Sequence, residues 1–294
     1  MARIFVTGGT GFVGRALVGT LLARGHTVDG LVRNTPAPPG MRGVRGDLLT
    51  PDSYRSALAG ADVVMHLAAA TGKASAATHA RVNLEGTRAI AAACAGSRRP
   101  LFFVSSVVVQ YPDHSRYPYA ASKAAAEAVV RDSGVPHVIA RPTIVAGPGS
   151  PVIGALARLA MLPVVPVFGN GSVPVQPVDV EDVALVLADV VDAGTYRNEV
   201  IGIGGPEILP IESLLQAIRT AAGRRRGPVL HLPFAAVLPA LSLAARLTGG
   251  RFPLTVGQTA LFRFDGTVPP HPSTAARRGG MCPLPEMLRR SLAP

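Results

Sequence analysis

The chain has 294 residues, 48% of them apolar and only 16% charged, enough for one large α/β unit or two smaller domains and too apolar for a disordered chain. Its net charge of +11 is uneven: residues 1–221 carry 19 basic and 16 acidic side chains, whereas residues 222–294 carry 10 arginines against Asp265 and Glu286. No nucleic-acid motif and no interleaved aromatics accompany that basic quarter, which excludes a nucleic-acid-binding class. From the N-terminus, short β-branched runs alternate with Ala-rich helical stretches, the pattern of βαβ units and a parallel sheet. Strands are expected at Arg3–Thr7, Thr27–Val32, Val44–Gly46, Asp62–His66, Leu101–Ser105 and His137–Arg141, with helices near 12–24, 52–59, 77–95 and 118–133. Right-handed crossovers would order them as a Rossmann-like doubly wound parallel sheet, with a ligand crevice at the strands' carboxyl ends. Beyond Arg141-Pro142 the texture changes, and 17 of the 27 prolines lie after residue 150. Val175–Val178 followed by Asp179–Val191, and Glu199–Ile203 followed by Ile211–Ala222, still read as strand and helix. The α/β fold is therefore expected as a Rossmann domain over 1–150 and a smaller C-terminal substrate-binding subdomain over 151–294. The latter partly returns to the sheet at about 173–205.

The first strand runs into Thr7-Gly8-Gly9-Thr10-Gly11-Phe12-Val13-Gly14 and then an amphipathic helix. Glycines let a pyrophosphate approach the chain closely, and the free amides of a helix N-terminus favour an anion. Gly8, Gly9, Thr10, Gly11, Phe12, Val13 and Gly14 are thus expected to hold a dinucleotide. An NAD site needs an acid at the end of the second strand to accept from the ribose hydroxyls. Here that strand ends Leu31-Val32-Arg33-Asn34, and Asp29 comes too early. The forked guanidinium of Arg33 suits a 2′-phosphate, so NADP(H) is expected over NAD(H).

Tyr119-Ala120-Ala121-Ser122-Lys123 opens a predicted helix and places Tyr119 and Lys123 one turn apart on one face. A lysine there can lower the phenol's pKa, so that the tyrosine exchanges protons nearer neutrality. Only two residues of the chain are lysine, Lys73 and Lys123, which makes this spacing less of an accident. Ser105-Ser106, at the end of the fifth predicted strand, can orient a substrate carbonyl beside the tyrosine.

At these residues the chain resembles the short-chain dehydrogenase/reductases, in their extended, epimerase/dehydratase-like branch. The resemblance is carried by the glycine turn at 7–14, Gly46-Asp47-Leu48, His66-Leu67-Ala68-Ala69, Val104-Ser105-Ser106, Tyr119…Lys123 and Arg141-Pro142-Thr143-Ile144-Val145-Ala146-Gly147-Pro148-Gly149. Val178-Asp179-Val180-Glu181-Asp182 and Ile203-Gly204-Gly205-Pro206-Glu207 look like later landmarks. The resemblance implies that Asp47 and Leu48 sit against the adenine and that Leu67, Ala68 and Ala69 line the cofactor ribose and phosphates. It implies Tyr119 as catalytic acid/base, Lys123 on the nicotinamide ribose, Ser106 rather than Ser105 as the catalytic serine, and Pro142, Thr143 and Val145 at the nicotinamide. Asn83 falls where relatives place a helix-bending asparagine. Two departures stand out: Gln110-Tyr111 replaces the usual Tyr-Gly, and Val32 replaces the acid of NAD-dependent members.

The expected function is an NADPH-dependent ketoreductase acting on a small hydrophobic or polycyclic carbonyl compound of secondary-metabolite type. The alternatives are a nucleotide-sugar epimerase, dehydratase or 4-ketoreductase, and a non-catalytic cofactor-binding subunit, against which retention of Tyr119 and Lys123 argues. Residues 206–294 would cap the crevice, with apolar walls from Phe234–Leu247 and Phe252–Phe264. The longest largely apolar run, residues 232–245, is broken by Pro233 and Pro239 and is too short to span a membrane. Met1 leads straight into the first strand, which leaves no room for a signal peptide. Cys94 and Cys282 are the only cysteines, and the seven histidines lack ligand spacing, so neither a disulfide framework nor a metal is expected. A bacterial, reduced, cytoplasmic enzyme follows as the expectation, monomeric or homodimeric.

Overall fold

The computed structural model describes residues 1–72, 74–247, 257–269 and 271–293. Its first half is β1 (Arg3–Thr7), α1 (Phe12–Ala23), β2 (Thr27–Val32), β3 (Arg42–Arg45), α2 (Arg55–Ala59), β4 (Val63–His66), α3 (Ala76–His79), α4 (Gly86–Ser97), β5 (Leu101–Val104), α5 (Pro118–Asp132) and β6 (His137–Pro142). The second half adds β7 (Val145–Ala146), α6 (Pro151–Ala160), β8 (Val165–Phe168), β9 (Pro174–Val175), β10 (Val178–Asp179), α7 (Val180–Ala193), β11 (Glu199–Ile203), β12 (Leu209–Pro210), α8 (Ile211–Ala221), β13 (Val229–Leu232), α9 (Phe234–Leu247), α10 (Pro272–Ala275) and α11 (Leu284–Leu292). Seven strands form one parallel sheet in the order β11-β6-β5-β4-β1-β2-β3. The order reverses between β1 and β4, and ligands of such sheets bind at the carboxyl ends flanking that point.

The central strands explain themselves. β4 and β5 are buried at every position, because a parallel sheet covered on both faces needs continuous apolar runs. One face is covered by α1 and α7, through Leu17, Leu21, Val183 and Leu187. The other is covered by α2, α4 and α5, through Leu58, Ile90, Cys94, Ala126 and Val130. A second apolar core lies beyond β7, where α6, β8, α8 and α11 bury Leu156, Val167, Leu215 and Met287 together. The C-terminal segment is pinned back on α7: Asp189 pairs with Arg277, and Asp182 accepts from the Cys282 amide at 2.8 Å.

Several elements differ from expectation. β3 starts two residues early, at Arg42, whose guanidinium meets Asp29 of β2 at 2.5 Å. The expected helix 52–59 divides into a 3-10 turn at Pro51–Ser53 and α2. The expected helix 77–95 is interrupted by a π-helical turn at Ala80–Glu85. Its cause is Asn83, whose amide accepts from Ala70 N–H at 2.7 Å and donates to Ala70 O and to Ser122 Oγ. The expected strand 175–178 splits into β9 and β10, since Pro177 between them has no N–H for a ladder.

Candidate active site

The glycine turn is shaped by close backbone approaches. A Cβ on Gly14 would lie 2.1 Å from Gly8 O, and one on Gly8, at φ +76°, would lie 2.6 Å from Ala68 N. α1 then begins at Gly11 with no side-chain cap and no acidic residue in its first turn. Its leading amides are left for an anion, and the absence of β-carbons keeps the approach open. These residues fit a dinucleotide pyrophosphate.

A cavity of about 520 Å³ opens at the carboxyl ends of the strands. On the turn side it is lined by Gly8, Gly11, Phe12, Val13 and Gly14, with Leu67 and Ala69 from the segment after β4. Ser106, Tyr119 and Lys123 face it together with Pro142, Thr143 and Val145. The structure therefore brings all three expected catalytic residues and most of the expected cofactor residues to one space. Gly9, Thr10 and Ala68 shape the turn from behind: Gly9 is buried on Met41, whose sulfur a Cβ would meet at 3.0 Å. The Thr10 carbonyl accepts from Arg15 Nε at 2.9 Å. Arg33, Asp47 and Leu48 stand apart from this cavity, beside β2 and β3. Arg33 is exposed and 3.7 Å from the Asp47 carboxylate, and the Leu48 side chain abuts Gly86 at the start of α4.

The electrostatics correct one expectation. Lys123 is buried, donates to the Val104 carbonyl at 2.7 Å and lies 4.1 Å from the Phe103 ring centroid. Desolvation brings it down to about 7, against the pull of nearby Glu127. An ammonium so weakened does not draw the phenol down. Burial instead pushes Tyr119 up to about 12, opposed by the neighbouring Ser106 hydroxyl. Ser105 is buried beside Glu127, whose carboxylate is gripped by Arg141 at 2.6 Å and Arg131 at 2.5 Å. Asp29, read as unable to reach a ribose, is buried and held by Arg3 and Arg42. Thr143 lines the cavity, but its hydroxyl donates to the Gln176 carbonyl.

The far wall takes Leu261 and Phe262 from the expected Phe252–Phe264 stretch, whereas α6 was not expected in it. Val152, Ala155 and Leu159 of α6 form it with Leu261 and Phe262, and Tyr111 and Tyr117 close the side. Ser150 at the N-cap, with Pro151 in the first turn, was the available signal for α6. Of the expected wall from Phe234–Leu247, Val237 and Leu241 of α9 are buried in the second core, and the side chains of 242–247 lie outside the described ones. Phe252, at the start of the other expected wall, lies outside the described residues. Arg45 was also passed over; the sheet register sets it beside Val32.

A glycine turn opening a helix at the sheet's switch point, facing a serine, a tyrosine and a lysine, defines an NAD(P)-dependent oxidoreductase of Rossmann type. The model of the NAD dependent epimerase/dehydratase family matches residues 4–204, and the chain belongs to that family. Among curated relatives, it is 36% identical over 190 residues to a ceramide reductase of Caulobacter vibrioides, a match spanning 63% of this chain and 59% of that protein. It is 29% identical over 255 residues to a 2-alkyl-3-oxoalkanoate reductase of Stenotrophomonas maltophilia, spanning 76% of this chain and 77% of the relative. The solved structure of the Thermus thermophilus UDP-glucose 4-epimerase in complex with NAD shares the fold. Its TM-score is 0.71 at 24% identity, covering 98% of this chain and 97% of that one.

Proposed function

We propose that the chain is an NADPH-dependent ketoreductase that acts on an apolar carbonyl compound. The observation that carries the reading is that Ser106 and Tyr119 line one cavity, whose one charged lining side chain, among the described residues, is Lys123. The turn from Gly8 to Gly14 holds the pyrophosphate, Arg33 and Arg45 meet the 2′-phosphate, and Leu67, Ala69, Pro142 and Val145 edge the sugar and ring. A bound nicotinamide dinucleotide supplies a hydride to carbon. Ser106 orients the substrate carbonyl toward Tyr119. Tyr119, protonated at neutral pH, is the group placed to give its proton to the carbonyl oxygen. Lys123 holds the ribose. The body built around α6, α8 and α11 serves as the substrate cap.

A nucleotide sugar would bring a diphosphate, which asks for arginine or lysine partners; among the described residues the cavity offers none besides Lys123. The names of the two reductase relatives support the same choice. The test is turnover of the purified protein with NADPH or NADH against long-chain ketones, 3-oxo acids and UDP-sugars. Consumption of NADPH with the apolar ketones is expected. Interconversion of UDP-sugars without net cofactor use would replace this reading with the epimerase one.

A further inference from the structure

Residues 133–178 and 213–264 contain no aspartate or glutamate, although 18 acids in 294 residues would place about six in two such stretches. The fold brings the two stretches together. β8 pairs with β13 in register from Val165↔Val229 to Phe168↔Leu232, and α6 packs on α8. Arg219 seals the seam by donating to the carbonyls of Ala160, Leu162 and Arg225 at 2.7–2.9 Å. This fixes the run Arg224–Arg226, exposed throughout, beside the end of α6.

The same face is unusually apolar. Leu162 is 44% exposed, Val164 45%, Leu230 52% and Val152 37%; these are four of the six large apolar side chains exposed within the described chain after Met1. Val152, Ala155, Leu159 and Leu162 recur at intervals of three and four, so they share one side of α6 and its exit. Val152, Ala155 and Leu159 line the cavity, and the exposed patch continues that wall outward. Glu212, at the start of α8, is occupied by His231 of β13 at 2.8 Å. No helix among the described residues is long and apolar enough to cross a membrane.

We infer that this face docks on an anionic bilayer surface and admits a membrane-resident apolar substrate along α6, an inference that rests on the ketoreductase reading above. Arginines beside an apolar patch are what an interface of acidic headgroups over acyl chains recognises. A bilayer also presents an apolar carbonyl compound at a wall of the cavity that is apolar from inside to outside. A nucleic acid would satisfy the arginines but leave Leu162, Val164 and Leu230 in water, and a second copy would repeat the same positive charge across the interface.

The experiment is co-sedimentation of the full chain with vesicles of phosphatidylcholine, alone or mixed with phosphatidylglycerol. Sedimentation with the mixed vesicles only, released by salt, is expected. Arg224→Gln, Arg225→Gln and Arg226→Gln together should lower partitioning roughly 100-fold, about fivefold for each arginine held near the surface. Leu162→Ser with Leu230→Ser should lower it as well. Both variants should reduce a short, water-soluble ketone at the wild-type rate, which shows that they fold, and should reduce a bilayer-resident long-chain ketone more slowly. The inference is overturned if the wild type ignores anionic vesicles, or if partitioning is indifferent to the arginines. It is equally overturned by light scattering that shows a dimer broken by Leu162→Ser, or by tight duplex DNA binding in place of vesicle binding. Vesicle binding by a chain that reduces no ketone would sink the proposed function and leave the surface standing; an active reductase that binds no vesicle does the reverse.

Discussion

Lys123 donates its ammonium to the backbone carbonyl of Val104 at 2.7 Å. That bond joins α5, which presents Tyr119 one turn earlier, to the end of β5, from which Ser106 follows two residues on. One buried lysine therefore braces the two hydroxyls against each other, and it does so at an energetic cost, because burial disfavours its charge.

The cost is readable as a pH dependence. Lys123 ordinarily titrates at 10.5 and is held down to about 7 in the folded chain. Between those values the unfolded chain binds the extra proton, so stability rises with pH across the interval and flattens below about 7. Lys123→Met keeps the volume and removes the desolvated charge. It should be more stable at pH 7 by roughly 1–3 kcal/mol, lack this rise toward pH 10, and bind cofactor weakly. Urea midpoints of both proteins at pH 7 to 10 check this; a variant less stable than wild type at pH 7 contradicts it.

Tyr119→Phe should leave NADPH binding nearly intact and lower kcat by roughly 10²–10⁴, the range for a positioned general acid. Ser106→Ala should also reduce kcat. Ser105→Ala should matter less: Ser105 also borders the cavity, but it is buried and neighbours Glu127. Fluorescence titration of NADPH alongside turnover separates binding from chemistry. Ser105→Ala as the more damaging change would move the serine role by one position.

Strands β1, β4, β5 and β6 were legible because fully covered parallel strands must be continuous apolar runs, and the glycine turn because its spacing is dictated by backbone contacts. The π-turn at Ala80–Glu85 was signalled by the resemblance, which marks Asn83 as helix-bending, and not by the helical period, which does not encode its partners Ala70 and Ser122. The split at Pro177 is encoded in the sequence, because a proline has no N–H for the ladder. At the site, the four-residue spacing of Tyr119 and Lys123 gave the geometry. It carried no information on burial, and burial sets both titrations. Arg45 was invisible because only the register of β3 against β2 sets it beside Val32.

Two glycines of the first helix region should respond in opposite directions. On Gly14 a methyl would collide with backbone, 2.1 Å from Gly8 O and 2.8 Å from Gly9 Cα. Gly14→Ala should then cost roughly 1–3 kcal/mol and abolish cofactor binding. Gly19 lies within α1 with nothing within 4 Å of its Cβ position. Gly19→Ala should stabilise by about 0.5–1 kcal/mol through reduced unfolded-state freedom and leave the cofactor untouched. Thermal melts with and without NADPH measure both effects. Equal behaviour of the two variants would remove the steric argument for the turn.

The last prediction concerns the 2′-phosphate. Val32 ends β2 where an NAD enzyme places a carboxylate, Arg33 follows it with an exposed guanidinium, and Arg45 stands opposite in the register. The Arg33 contact with Asp47, at 3.7 Å and solvent-exposed, is too weak to hold the guanidinium from a better partner. Arg33→Ala should weaken NADPH by on the order of 1.5–3 kcal/mol, the worth of a hydrogen bond to a charged group, with Arg45 retaining part of the affinity. NADH has no 2′-phosphate to lose and should bind as before. Adding Val32→Asp sets a carboxylate against the phosphate and offers an acceptor to the ribose hydroxyls, so the preference should pass to NADH. The readout is kcat/KM for each cofactor, on wild type and both variants at one salt concentration, because these contacts are screened by salt. A wild type that already prefers NADH, or an Arg33→Ala variant with an unaltered cofactor ratio, would show that the end of β2 does not read the phosphate.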